Sequence, residues 1–412
     1  MAEAQISGTI RVVVIIGLLL VLIVVAVNGK KPSAPFQFEE EDAKLTVPQL
    51  IRKYGYNLEK HQVLTEDGYL LAMFRIPPRN GTSTKRPVLM MHSLMSSCSD
   101  FILIGPKHAL GYLLANRDYD IWLGNARGNR YSRRHKRIRV KSPKFWNFTF
   151  HEIGYYDVPA LIDYVLDKTN SAKLHYVGFS QGTLVSFVAM STRPEYNAKI
   201  VQMQEMSPAA YIGQPSSIFI RVLSMLAPSM GIGYNISGNS EFLPHWTGQY
   251  EFYKTVCPAP AQTLCRMLLN DVVGANPRQL DPKTLRIFLG HFPAGAGVLQ
   301  MQHYGQVFGD GIFRRYDYGD DQKNLEMYGS TQVPRYNLSE VTAPVRIYYG
   351  YNDNVIAYRN VEKLERDLPN VVSSYLVPDE RFTHADFILA SQVKELLYDE
   401  IVRNVEAAER EG

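Results

Sequence analysis

Short, mostly apolar runs alternate along most of the chain with longer stretches of helical periodicity. Pro87–Met91, Tyr119–Leu123, Leu174–Phe179, Ile200–Glu205 and Val345–Gly350 read as strands, and Val371–Val377 as the last. Tyr155–Lys168 has helical spacing, and Asp386–Ala407 reads as one long amphipathic closing helix. Nearer the N-terminus, Val47–Tyr56 predicts a short helix. His61–Thr65 and Tyr69–Ile76 predict two strands joined at Asp67-Gly68, a residue pair suited to a hairpin turn. Strands without polar alternation are buried on both faces. Their alternation with helices predicts a largely parallel sheet covered by helices on each side.

The alternation breaks between about Ser207 and Tyr336, where Met, Pro, Gly and aromatic residues dominate and strand signals are few. This stretch lies between two sheet strands, so it reads as an insertion. The predicted organisation is residues 30–206 and 337–412 as one core, with 207–336 as an inserted helical cap. Within it, Ser216–Ile232 is apolar and Met-rich, which suits a lid or, equally, static cap core. A Pro- and acid-rich linker, Pro32–Lys44, precedes the core. No internal repeat or low-complexity segment interrupts it.

The segment Tyr176-Val177-Gly178-Phe179-Ser180-Gln181-Gly182 joins a buried strand to an apolar helix through G-x-S-x-G. That is the pattern of the nucleophile elbow of an α/β-hydrolase fold. The glycines let strand and helix approach, and the strained turn lifts the serine hydroxyl clear of the sheet. A serine hydroxyl needs a histidine base, and the histidine needs a carboxylate. In this fold the carboxylate follows a late strand and the histidine follows the last one. Asp353, after Val345–Gly350, and His384, the only histidine after His303, occupy those places. The plainer readings are a turn serine, an N-capping Asp353 and a helix-start His384 capped by Asp386. His291 and His303 fall in the cap, His175 lies inside the elbow strand, and Asp317 and Asp386 lack the strand-then-loop setting.

An oxyanion needs two N–H donors. Gln181 follows the nucleophile directly. Leu94, in the loop His92-Ser93-Leu94-Met95 after an early strand, is the candidate for the second.

Composition adds bounds. Of 412 residues, 46% are hydrophobic and 20% charged, and the net charge of +4 makes no case for nucleic acid as a partner. Charge is uneven, however. Arg130–Lys141 holds Arg130, Arg133, Arg134, His135, Lys136, Arg137, Arg139 and Lys141, which reads as a solvated loop face or as a contact for anionic lipid. Val12–Val27 is an apolar run followed by Lys30 and Lys31. It is short for a bilayer span and suits a signal peptide over residues 1–29, with an uncleaved anchor as the alternative. Both imply the secretory pathway, extracellular or lysosomal. The sequons at Asn80, Asn147, Asn235 and Asn337 fit that route as glycosylation sites. Cys257 and Cys265 have the spacing for a small disulfide ring in an oxidising compartment. Cys98 is then left over, a free, buried cysteine.

The chain resembles the acid lipase family of α/β-hydrolases, which includes gastric and lysosomal acid lipases and insect relatives. The resemblance spans roughly residues 40 to 400. It rests on Glu66-Asp67-Gly68-Tyr69, on Trp122-Leu123-Gly124-Asn125-Ala126-Arg127-Gly128-Asn129, and on Phe145–Gly154. The elbow, His291–Gly295, Asn352-Asp353 and His384–Phe387 carry it further. It implies Ser180, Asp353 and His384 as the triad, Leu94 and Gln181 as oxyanion donors, and a Cys257–Cys265 disulfide. It also implies neutral-lipid esters as substrate, met at a lipid–water interface, with no metal or organic cofactor and no obligate protein partner. Three positions depart from the family pattern. Phe179 replaces the usual elbow histidine, Ser93 replaces a glycine beside His92, and the cap lacks a third cysteine. A smaller-ester carboxylesterase and a non-catalytic lipid-binding protein are the competing readings.

Overall fold

The computed structural model describes residues 41–411, apart from 80, 82, 219, 223, 226–239, 257–266, 268 and 269. The leader at 1–29, Asn80, Asn235, Cys257, Cys265 and part of the proposed lid lie outside the described residues. Among those described, no helix is long and apolar enough to cross a membrane.

The strands are β1 (Glu59–Leu64), β2 (Tyr69–Ile76), β3 (Val88–Met91), β4 (Ile121–Gly124), β5 (Arg134–His135) and β6 (Leu174–Phe179). They continue with β7 (Ile200–Met206), β8 (Glu241–Phe242), β9 (Ala296–Gly297), β10 (Val345–Tyr349) and β11 (Val371–Leu376). The main sheet has the order β1-β2-β4-β3-β6-β7-β10-β11, with β5 added beside β2. From β4 to β11 neighbouring strands run parallel, whereas β1, β2 and β4 pair antiparallel. This is the α/β-hydrolase arrangement expected from the alternating pattern.

Side chains of each central strand divide between two cores, as a period of two requires. Leu89, Met91, Trp122, Tyr176 and Met203 face one layer, packed by the helices Val158–Thr169 and Gln181–Thr192. Val88, Met90, Leu123, Val177 and Phe179 face the other, packed by Leu110–Ala115 and the C-terminal helix Asp399–Glu411. The helix Gln181–Thr192 is buried from Gln181 to Met190, which explains its all-round apolar sequence.

Two elements differ from the sequence pattern. The closing helix is broken: Asp386–Leu389 ends at Ala390, which is extended (ψ 138), and a wide turn at Lys394–Tyr398 leads into Asp399–Glu411. The cause is an inserted backbone partner. Ala390 bridges Leu280, and the Ser391 amide donates to the Gln279 carbonyl at 2.8 Å. The second is β5, which carries no apolar signal. The Lys136 amide donates to the Gly68 carbonyl at 2.8 Å, so backbone pairing to the hairpin creates the strand.

The described part of 207–336 is mainly helical, with a small β8–β9 pair. Its Tyr304, Val307, Phe313 and Tyr336 join the core shared with the sheet. Among the described residues it therefore shares the apolar core of the sheet layer.

One buried carboxyl has a pH consequence. Glu205 on β7 sits beside Gly178 of β6. Its Oε1 accepts from Ser186 Oγ at 2.9 Å, and its Oε2 has no partner among the described residues. Burial pushes its pKa up to about 8 from an ordinary 4.5, so the native state holds a proton that the unfolded chain releases. Stability from this group is complete below the unfolded value and is lost as pH rises toward the folded one, by about 1.4 kcal/mol per unit. Asp100, Asp157 and Asp386, raised by burial to about 6, add their slopes at lower pH. Glu205→Gln is therefore expected to flatten stability against pH between about 6.5 and 7.5, measured by urea unfolding. An unchanged slope would remove the neutral carboxyl.

Candidate active site

The elbow begins with a crowded approach. A Cβ at Gly182 would overlap the Met91 carbonyl at the end of β3, and one at Gly178 would overlap the Glu205 carboxyl. Only glycine lets the helix start this close to β3 and β6. The turn drives Ser180 to φ 52, ψ −111, outside the ordinary regions for a residue with a side chain. Such strain costs about 1–3 kcal/mol, and the surrounding packing must hold it.

That conformation sets Ser180 Oγ 2.9 Å from His384 Nε2. His384 Nδ1 lies 2.9 Å from Asp353 Oδ2. The three side chains come from the end of β6, the loop after β10 and the loop after β11, with Asp353 173 positions after Ser180 in the chain. All are nearly buried, at 7%, 5% and 8% exposure for Ser180, Asp353 and His384. Asp353 Oδ1 accepts from the amides of Val355 and Ile356 at 2.9 and 2.8 Å, which fixes the carboxylate and leaves Oδ2 for the histidine. The capping role that sequence offered as its plain alternative is thus filled by the other oxygen of the same carboxylate. The Phe179 ring lies 5.2 Å from the His384 ring, so the residue standing in for the family's histidine packs against the imidazole.

The Leu94 and Gln181 amides have no acceptor among the described residues. The Leu94 loop is braced from behind. Buried Asp100 accepts from the Ser93 amide at 3.0 Å and from Ser93 Oγ at 2.8 Å, and it also bonds Ser96 Oγ. Ser93 does not occupy the left-handed region; Met95 does, at φ 56. A side chain at 93 is accommodated because its backbone avoids the left-handed region and its hydroxyl bonds the buried Asp100 carboxyl. His92 is buried and its pKa falls to about 4, so it is neutral. Its Nε2 accepts from the Ala126 amide at 3.1 Å, and Nδ1 donates to the Ser93 carbonyl at 2.7 Å.

The Trp122–Asn129 motif is scaffolding for this loop. Asn125 Oδ1 accepts from the Cys98 amide at 3.2 Å, and Asn129 Nδ2 donates to it at 2.9 Å. Arg127 is buried between Asp157 (2.7 Å) and Asp67 (2.5 Å) and ties the β1–β2 turn to the helical layer. Cys98 is free and buried, with its thiol pushed up by desolvation.

The other histidines are elsewhere. His175 is buried and paired with Glu409 at 2.9 Å. His291 bonds the Asp42 carbonyl at 2.8 Å, and His303 bonds the Arg314 carbonyl at 2.9 Å. Asp386 accepts from the Thr383 amide at 2.8 Å, one residue from His384, and supports that loop. Asp317 caps its own turn with Gly319 and Asn324. Asn147 and Asn337 are both exposed. Among the described residues no group of His, Cys, Asp and Glu is placed to hold a metal ion.

Sequence reading missed Ser207. It sits at the end of β7 with φ 49, and its Oγ donates to Asp353 Oδ2 at 2.7 Å while standing 3.0 Å from His384 Nδ1. The one available signal was its place directly after a strand of the parallel sheet, where functional loops begin. Loss of a hydrogen bond to a charged group costs about 1.5 kcal/mol. Ser207→Ala is therefore expected to lower kcat about 10-fold with KM little changed. Kinetics on a soluble ester, with thermal unfolding as the folding control, checks this. An unchanged kcat would reduce Ser207 to packing.

Comparison with known proteins bears on the family and the fold. Residues 47–105 match the family described as "Partial alpha/beta-hydrolase lipase region", and residues 86–218 match "alpha/beta hydrolase fold". The chain is 41% identical over 362 residues to Lipase 1 of Drosophila melanogaster, covering 87% of this chain and 79% of that one. It is 34% identical over 366 residues to gastric triacylglycerol lipase of Bos taurus, covering 88% and 91%. Among solved structures, a soluble variant of the monoglyceride lipase of Saccharomyces cerevisiae shares the fold, with TM-score 0.55 at 15% identity, covering 92% of this chain and 99% of that chain. With identity above 30% sustained across most of both chains, the protein belongs to the lipase family of α/β-hydrolases that contains the Drosophila and gastric enzymes.

Proposed function

We propose that this protein is a serine-dependent lipase that hydrolyses carboxylic esters of neutral lipids, triacylglycerol or steryl ester, through an acyl-enzyme. The observation that carries it is the Ser180–His384–Asp353 chain of 2.9 Å contacts at a strained elbow. In this reading Ser180 Oγ attacks the ester carbonyl as His384 Nε2 takes its proton. Asp353 holds the Nδ1–H tautomer and stabilises the imidazolium. The amides of Leu94 and Gln181 receive the oxyanion. His384 then protonates the departing alcohol, and water repeats the sequence to release a fatty acid.

Residues 207–336 act as the cap. Gln300 and Tyr304 donate to the Gln181 side chain at 2.6 and 3.0 Å, and the Val273 carbonyl accepts from the His384 amide at 2.9 Å. These bonds support a cap seated over the catalytic residues. Ile218, Val222 and Met225 are exposed at the start of the Met-rich segment, at 68%, 40% and 80%. Exposed apolar side chains there favour a lid that turns toward lipid. The same reading carries a secreted or lysosomal enzyme with a cleaved leader, the Cys257–Cys265 disulfide and glycans at Asn80, Asn147, Asn235 and Asn337.

The test is hydrolysis of emulsified triolein and cholesteryl oleate across about pH 4 to 8. Wild type should release fatty acid, and Ser180→Ala should lose at least about 10³-fold. Release that survives in the folded variant, or none from wild type, would overturn the reading. If the lid operates, a long-chain ester above its solubility limit should be cleaved faster than the same ester below it. Equal rates would leave the segment as fixed cap.

A further inference from the structure

The basic run is not used by the catalytic site, and its placement is specific. β5 pairs with the first residues of β2, Leu70 with Arg134 and Tyr69 with His135. β2 meets β4 further along, Met73 against Gly124. Gly124 ends a parallel strand, and Met91 and Gly178 lie at the same end of the sheet. β5 therefore stands three residues beyond that end, about 10 Å outward on the side from which Ser180 projects.

The segment is held as a fixed ridge. The Lys136 amide bonds the Gly68 carbonyl, His135 Nε2 bonds the Asp67 carbonyl at 2.9 Å, and Trp146 Nε1 donates to the Val140 carbonyl at 2.8 Å. Ile138 and Val140 pack inward against the core. Arg134, Lys136, Arg137, Arg139, Lys141 and Lys144 are left exposed, with no acidic partner among the described residues. Arg133, at the root of the ridge, bonds Glu241 of β8. Beyond β8 the apolar Leu243, Trp246 and Phe252 are exposed alongside Thr247 and Glu251, with the Trp246 and Phe252 rings 5.5 Å apart and Glu251 paired with Lys44.

We propose that this basic ridge, with the neighbouring Leu243–Phe252 apolar patch, docks the enzyme on a negatively charged lipid surface and turns the catalytic end toward it. Unpaired cations beside exposed aromatic residues match the charged and apolar layers of a lipid interface. The proposal rests on the lipase reading, and that reaction supplies the charge: each turnover leaves a fatty acid whose carboxylate remains at the surface. A ridge of fixed cations would hold the enzyme where product collects.

Docking is measured without catalysis, by co-sedimentation of the full chain with vesicles of ether-linked lipids. One set is phosphatidylcholine alone, and the other contains about one-third phosphatidylglycerol. Wild type is expected to bind the anionic vesicles at least about 10-fold more tightly, and a few hundred millimolar salt should erase the difference. The variant Arg134→Gln, Lys136→Gln, Arg137→Gln, Arg139→Gln should lose most of that preference. Its kcat/KM on a soluble short-chain ester reports an intact site and separates failure of docking from failure of the lipase reading. Equal binding of wild type to both vesicle types, or full preference in the folded variant, overturns the proposal. Retention of wild type on heparin without vesicle binding also overturns it, in favour of a polysaccharide partner.

Discussion

The close approach of the Gln181–Thr192 helix to the ends of β3 and β6 is the constraint on which the site depends. Gly182 lies against the Met91 carbonyl and Gly178 against Glu205, so no side chain fits at either position. The approach forces Ser180 to a positive φ, and that backbone aims its hydroxyl at His384. It also sets the Gln181 amide near the Leu94 loop, since β3 and β6 are adjacent and β3 leads directly into that loop. The proposed nucleophile and the proposed oxyanion donors thus share one packing constraint.

Such a contact must be enforced by its surroundings, and the buried polar groups of this protein are arranged around it. Asp100 and His92 hold the Leu94 loop, while Asn125 and Asn129 hold the turn behind them. Arg127 joins Asp67 and Asp157, which anchors the hairpin to the helical layer. Buried polar groups are costly unless bonded, and a bonded network admits few alternative packings. Ser207 extends this logic to the acid, because its hydroxyl bonds Asp353 directly beside the histidine.

The described part of residues 207–336 contributes to the core. Tyr304 contributes to the main apolar core and also bonds the Gln181 side chain. The Gln279–Leu280 backbone breaks the closing helix at Ala390. That break sits a few residues past His384, so these residues help shape the loop that carries it. Displacing the exposed apolar segment near Met225 need not disturb these bonds, because they come from other parts of the insertion.

Local pattern alone determined the parallel α/β order, the elbow, and the loops that carry Asp353 and His384. Each depends on a short-range rule: apolar runs make buried strands, and paired glycines mark a close turn. The Trp122–Asn129 motif could be recognised from sequence, but its work could not be read there, since Arg127 and Asn125 act through partners tens of residues away. Ser207 was hidden for the same reason. One hydroxyl acquires meaning only when β7 and β10 lie side by side and bring residue 353 to it. β5 is a strand only through backbone pairing with β2, so no periodicity announces it. Sequence determined which elements form and in what order. Tertiary structure decided which polar groups meet, because hydrogen bonding requires distances that only the assembled sheet provides.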